Sequence, residues 1–221
     1  MLQILDSNGQ WYDWQRIDQR GLKIGRSSKT SEQTSELNSM APRHLRLSYD
    51  GKNLIAEDLG SLNGVYRKLV EPVALEDGTR FRIGSHVIEF RSARPPSATE
   101  ALVSEEGEQF WSRELEPIAY LDFIRPDGCP GLRFPLLESK DRVVLGRENQ
   151  PGRPVDIVLP YSEVSGNHAQ IRRVGDRFSL EDLGSTNGTY VRFQGNMTLN
   201  HHDVLMAGRI LLRVVATGGM A

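Results

Sequence analysis

Short apolar runs broken by polar turns recur along the whole chain, and none is long enough or spaced as a helix face would be. Leu2-Gln3-Ile4-Leu5 reads as a first strand, and Asp6-Ser7-Asn8-Gly9 as the turn after it. From Gln10 to Arg20, Trp11, Trp14 and Ile17 are interleaved with polar residues, which suits a second strand. These aromatics read as sandwich-edge packing, with an exposed docking patch as the alternative. Leu22-Lys23-Ile24-Gly25-Arg26 alternates and ends in Gly-Arg. The same strand character returns at Val87–Phe90, 119–124, Val143–Arg147 and 210–214. Such short strands, divided by Gly, Asn and Asp, predict an all-β antiparallel sandwich.

Internal repetition predicts two copies of that sandwich. His44 and His168 lie 124 residues apart, as do Asn63 and Asn187, and Gly84 and Gly208. Glu57-Asp58-Leu59-Gly60-Ser61 returns as Glu181-Asp182-Leu183-Gly184-Ser185 at the same offset. The Gly-Arg pairs, Gly25-Arg26 and Gly146-Arg147, are 121 apart, so only the loop after them differs in length. Two copies are too few for a solenoid. The expected organisation is a first sandwich at 1–92, a linker at 93–115, a second sandwich at 116–217 and a tail at 218–221. Arg94-Pro95-Pro96-Ser97-Ala98-Thr99 gives the linker stiffness and polarity. Ser27 to Ser39, rich in hydroxyls and without period, reads as a solvated loop.

Composition narrows the function classes. In 221 residues, 38% hydrophobic content suits globular domains, and a net charge of −2 supplies no bulk basic field for nucleic acid or an anionic membrane. The one cysteine, Cys129, excludes an internal disulfide framework and a cysteine-based zinc cluster. The N-terminus has neither a basic start nor a long apolar run, and no stretch is long enough to span a bilayer. A cytoplasmic protein without membrane insertion is the expectation.

Three polar clusters fall where loops are expected: Gly146-Arg147, Ser165-Gly166-Asn167-His168 and Thr186-Asn187-Gly188. A guanidinium forks onto phosphate oxygens in pairs, hydroxyls add donors, and a carboxamide both donates and accepts, so it can read peptide backbone. No nucleophile stands with a base. Gly-x-Ser-x-Gly, Gly-Lys-Ser/Thr, His-Glu-x-x-His and kinase signatures are absent, so no enzyme activity and no cofactor are expected. His201-His202-Asp203 aligns with a turn of the first copy and has no further ligands at suitable spacing, so no metal is expected either.

Gly-Arg, Ser-x-x-His and Thr-Asn-Gly in this order, with strands between, resemble the forkhead-associated (FHA) domain, a phosphothreonine-binding β-sandwich. The resemblance covers nearly the whole chain except the linker and short tails. It implies that Arg147 contacts the phosphate and that Ser165 donates to it through hydroxyl and backbone N–H. It further implies that Thr186 lines the pocket for the threonine methyl and that Asn187 bonds the peptide backbone. Gly146, His168 and Gly188 then support the loops, Gly188 through the positive φ of a tight turn.

The first copy departs from this pattern. Arg26 and Asn63 are retained as a weak second site, but Ala41 stands for Ser165, Leu62 for Thr186 and Val65 for Thr189, and Pro42 lacks an amide donor. It is expected to be a phospho-independent scaffold or dimerisation surface. The resemblance therefore implies an adaptor in Ser/Thr kinase signalling, acting through the second copy. Its partners would be phosphothreonine proteins, the kinase itself among the candidates. The alternatives are a phospho-independent scaffold and a regulatory subunit of an enzyme complex. A homo-oligomer is left open, and Thr99 is a candidate internal phosphosite for the second copy.

Overall fold

A computed structural model of the chain describes residues 1–5, 10–18, 20–26, 33–34, 38–93, 105–107, 117–148, 152 and 154–215. Thr99, Phe110-Trp111, most of the 27–39 loop and the tail lie outside the described residues. Every regular element among the described residues is a strand, and nearly all pairings are antiparallel.

The first copy supplies β1 (Leu2–Leu5), β2 (Trp11–Gln15), β3 (Leu22–Gly25), β4 (Gln33–Thr34), β5 (Leu45–Tyr49), β6 (Leu54–Asp58) and β7 (Val65–Lys68). It continues with β8 (Val73–Leu75), β9 (Arg80–Ile83) and β10 (His86–Ser92). The second copy opens with β11 (Pro117–Ile124), β12 (Pro130–Leu137), β13 (Arg142–Gly146), β14 (Ile157–Val158), β15 (Ala169–Val174) and β16 (Arg177–Asp182). It ends with β17 (Thr189–Arg192), β18 (Asn196–Leu199), β19 (Val204–Ala207) and β20 (Ile210–Val214). Within the expected 27–39 loop, β4 pairs in parallel with the end of β3.

The chain condenses into two compact units that do not follow the sequence copies. Unit 1 is Met1–Val70 with Tyr190–Ala221, and unit 2 is Glu71–Thr189. The expectation of contiguous sandwiches at 1–92 and 116–217 therefore differs from the arrangement found. In unit 1 one sheet runs β18-β6-β5-β3-β4 and the other runs β17-β7-β19-β20-β1-β2. Its core includes Leu2, Ile24, Leu45 and Leu47 of the first copy beside Leu205 and Leu212 of the second. In unit 2 the sheets are β14-β13-β15-β16-β8 and β12-β11-β10-β9, with Phe90 against Phe178 at 5.1 Å between ring centroids.

The physical reason lies in the repeat itself. Phe81 and Ile83 of β9 are buried as Leu205 and Ala207 of β19 are, so either copy's last strands present the same alternating face. Polar pairs then distinguish the combinations. Arg67 of β7 grips Asp203, 8% exposed, at 3.0 and 2.7 Å, whereas the first-copy residue aligned with Asp203 is Thr79. A buried carboxylate without its guanidinium would be costly, which favours the combination observed.

Trp14 packs on the unit 1 core, and the Arg213 guanidinium lies 4.5 Å from the Trp11 ring centroid. Both aromatics thus have packing partners within the unit. Asp203 of the His201-His202-Asp203 cluster is taken by Arg67 and by the Asn200 amide, and no metal-holding group occurs among the described residues.

Candidate functional site

Strand β13 ends at Gly146, where the loop between β14 and β15 lies directly against it. A Cβ on Gly146 would sit 1.8 Å from the Gly166 carbonyl oxygen, so only glycine permits this approach. The Arg147 amide donates to the Ser165 carbonyl at 2.9 Å, which binds the Gly-Arg end to the Ser-x-x-His loop. Arg147 projects outward, its side chain 43% exposed, and among the described residues its guanidinium meets the open Glu148 carboxylate at 3.2 Å. Such a pair is weak and readily displaced.

His168 is fully buried and braces both loops. Its Nδ1 accepts the Ser165 amide at 3.0 Å, so Nε2 carries the proton and donates to the Gly188 carbonyl at 3.2 Å. Burial pushes its pKa below the ordinary value, partly offset by the Gly188 carbonyl and Asp182, and the ring is neutral. This corrects one expectation. The Ser165 backbone N–H is consumed by His168 and is not offered to a phosphate. The Ser165 hydroxyl accepts the Thr186 amide at 3.1 Å, which leaves its own proton to donate outward.

Asn187 donates through Nδ2 to the Glu163 carbonyl at 2.9 Å, leaving Oδ1 to accept from a peptide amide. Gly188 adopts φ +84°, as a tight turn at this position requires. Arg147, Ser165, Thr186 and Asn187 are thus held on one edge of unit 2 by three loops that bond to one another. Thr186 and Ser165 also line an open cavity of about 610 Å³.

The sequence reading missed the organiser of the Thr-Asn-Gly loop, Asp182. It accepts the amides of Gly184 and Ser185 and the hydroxyls of Ser185 and Thr189, all at 2.7–3.0 Å. Burial opposes its charge, but the Thr189 and Ser185 hydrogen bonds outweigh that and hold the carboxyl below its usual range. The signal was present as the repeated Glu-Asp-Leu-Gly-Ser. Glu163 was missed as well: its carboxylate takes the Ser85 hydroxyl at 2.7 Å, so the loop bearing Ser165 is steadied from the β9–β10 turn.

Unit 1 repeats the frame without the donors. His44 Nδ1 accepts the Ala41 amide at 3.0 Å, its Nε2 faces the Gly64 carbonyl at 3.1 Å, and Asn63 donates to the Ser39 carbonyl at 2.9 Å. No hydroxyl stands at Ala41, Leu62 is 90% exposed where Thr186 would be, and Arg26 leans on the Met40 carbonyl at 3.2 Å.

The FHA domain profile matches residues 22–84 and again 143–208, together more than half of the chain. The chain belongs to the FHA domain family. It carries two tandem copies of a module whose members bind phosphothreonine peptides. A relative named oxoglutarate dehydrogenase inhibitor, from Corynebacterium jeikeium, is 39% identical over 59 residues, 26% of this chain and 41% of that protein. The chain thus spans about two fifths of that relative's length. Among solved structures, the FHA domain of the CT664 protein from Chlamydia trachomatis is 26% identical with a TM-score of 0.26, covering 45% of this chain and 97% of that one. EmbR of Mycobacterium tuberculosis, in complex with a low-affinity phosphopeptide, is 28% identical with a TM-score of 0.28, covering 53% and 28%. No helix is long and apolar enough to cross a membrane among the described residues.

Proposed function

We propose that the chain is an adaptor of Ser/Thr kinase signalling that binds phosphothreonine proteins through the edge of unit 2. Arg147 takes the phosphate oxygens, the Ser165 hydroxyl donates to them, Thr186 flanks the threonine methyl and Asn187 accepts a backbone amide. One observation carries the reading: an exposed guanidinium stands beside a hydroxyl whose proton is left over and a carboxamide whose oxygen is left over. A charge-assisted hydrogen bond to phosphate is worth about 1.5–3 kcal/mol, and two or more on one group make binding depend on phosphorylation. In unit 1 the Arg26 and Asn63 pair lacks both hydroxyls, and the exposed Leu62 suits a phospho-independent contact better. Titration of the full chain with one peptide in phosphothreonine, phosphoserine and unphosphorylated forms tests the reading. Only the first should bind with micromolar affinity, and equal binding of all three would reject it.

A second reading draws on the relative from Corynebacterium jeikeium. The chain would then be a non-catalytic regulatory subunit, with unit 2 reading a phosphothreonine on the enzyme complex or its kinase. A catalytic chain retained on immobilised protein only after kinase treatment would favour this version.

A further inference from the structure

The closing strands of unit 2 come from the first copy, and their turn lies against a binding loop of the second. Between β9 and β10, Gly84 adopts φ +59° and passes so close to Glu163 that a Cβ there would sit 2.4 Å from the Glu163 Cγ. Ser85, next in the turn, donates its hydroxyl to the Glu163 carboxylate at 2.7 Å. That hydrogen bond is the chief reason the Glu163 carboxyl lies below its usual range. His86 packs its ring on Tyr161, 4.4 Å between centroids, and on Phe123 of β11 at 6.0 Å. The turn thus holds the loop before Ser165 at two side chains, Tyr161 and Glu163.

Glu163 passes this hold to the site. Its backbone carbonyl accepts from Asn187 Nδ2 at 2.9 Å, and the Val164 amide closes the same loop onto the Tyr161 carbonyl at 3.0 Å. The Asn187 carboxamide is therefore oriented before a peptide arrives, and a side chain ordered in advance loses less freedom on binding. Unit 1 has the same wiring without the clasp. Asn63 donates to the Ser39 carbonyl, and the Gly208 turn of the second copy lies so near that an added Cβ would sit 2.7 Å from that oxygen. Yet the Ser39 hydroxyl is buried and has no hydrogen-bond partner among the described residues. The second copy's residues aligned with Ser85 and His86 are Arg209 and Ile210. At this turn, the hydroxyl and the ring that clasp unit 2 are found only in the first copy.

We infer that the phosphothreonine site of the second copy is completed by the first, whose β9–β10 turn is its positioning element. Ser85 and His86 fix Glu163 and Tyr161, and Glu163 fixes Asn187. The groups that touch the peptide lie in the second copy, and part of the order they require comes from the first. Phosphopeptide affinity is then a property of both copies, although only one of them carries the recognition residues. The inference rests on the reading of unit 2 as a phosphothreonine site.

Fluorescence polarisation of one phosphothreonine peptide and its unphosphorylated form against the full chain tests the inference. Ser85→Ala and His86→Ala should each weaken phosphopeptide binding about two- to tenfold. Ser85→Thr and His86→Phe, which keep the hydroxyl and the ring, should restore most of it. Two controls separate positioning from stability. Asp77→Ala removes the acceptor of the Ser92 amide in the same closing segment, and Arg209→Ala alters the aligned turn in unit 1. Both should bind as wild type does. In Asn187→Ala, a further Ser85→Ala should change nothing, because the side chain it positions is gone. Unchanged binding in both Ser85→Ala and His86→Ala overturns the inference, as does an equal loss in Asp77→Ala or an additive loss in the Asn187→Ala background. Loss in Arg209→Ala with none in Ser85→Ala overturns it too, since the second copy would then close its own site. Wild type indifferent to phosphorylation overturns the underlying reading of unit 2, and the inference falls with it.

Discussion

The loops after β6 in unit 1 and after β16 in unit 2 share a backbone plan and differ in how fully it is hydrogen-bonded. In unit 2, Asp182 gathers four donors and the Ser185 hydroxyl also accepts the Gly188 amide at 2.9 Å. In unit 1, Asp58 takes the Ser61 amide at 2.9 Å, but Val65 brings no hydroxyl and the Ser61 hydroxyl is buried without a partner. Arg192, from β17, fills part of that gap with its guanidinium 3.7 Å from Asp58 and 3.3 Å from the Ser61 carbonyl. One loop is pinned by its own hydroxyls and presents donors outward. The other is propped from beneath by an arginine and presents an exposed leucine. The fold tolerates either solution, and the proposed phosphate recognition rests on the first.

Removing the hub should separate the units most. Asp182→Ala leaves several donors without an acceptor and should cost unit 2 about 3 kcal/mol, while Asp58→Ala should cost unit 1 about 1 kcal/mol. Urea unfolding of each variant measures both, and equal losses would break the contrast. Arg147→Ala should weaken phosphothreonine binding by about 1.5–3 kcal/mol, or about 10- to 150-fold, with little change in stability. Thr189→Val makes the hub of unit 2 resemble that of unit 1 and should cost about 1 kcal/mol, read as a lower urea midpoint.

The smallest effect is common to both units. His44 and His168 have folded pKa values lowered, chiefly by burial, from the ordinary 6.5. As pH falls the unfolded chain takes up protons first. Their contribution is therefore complete above about pH 6.5 and is lost as pH drops through the folded values. Midpoints measured from pH 7.5 to 5 should fall, and His168→Gln should flatten part of that slope.

Much of this was legible beforehand. Period-two alternation and Gly/Asn/Asp turns predict the strands, and the offset of 124 residues exposes the duplication. Gly146 was legible as a support, though its cause, the Gly166 carbonyl laid against it, is tertiary. Which last strands close which unit was not legible, because β9 and β19 carry the same burial pattern and only pairs such as Arg67 and Asp203 distinguish them. The Ser165 amide was assigned outward because a motif names residues without saying which of their atoms are already bonded. His168 Nδ1 had taken it.

The central claim is that phosphothreonine is read in unit 2 and not in unit 1. Fluorescence polarisation of a degenerate phosphothreonine peptide pool against wild type, Arg147→Ala and Arg26→Ala tests it most directly. Binding that is lost in Arg147→Ala and kept in Arg26→Ala is the predicted result. Loss in Arg26→Ala with retention in Arg147→Ala, or wild-type binding indifferent to phosphorylation, would contradict it.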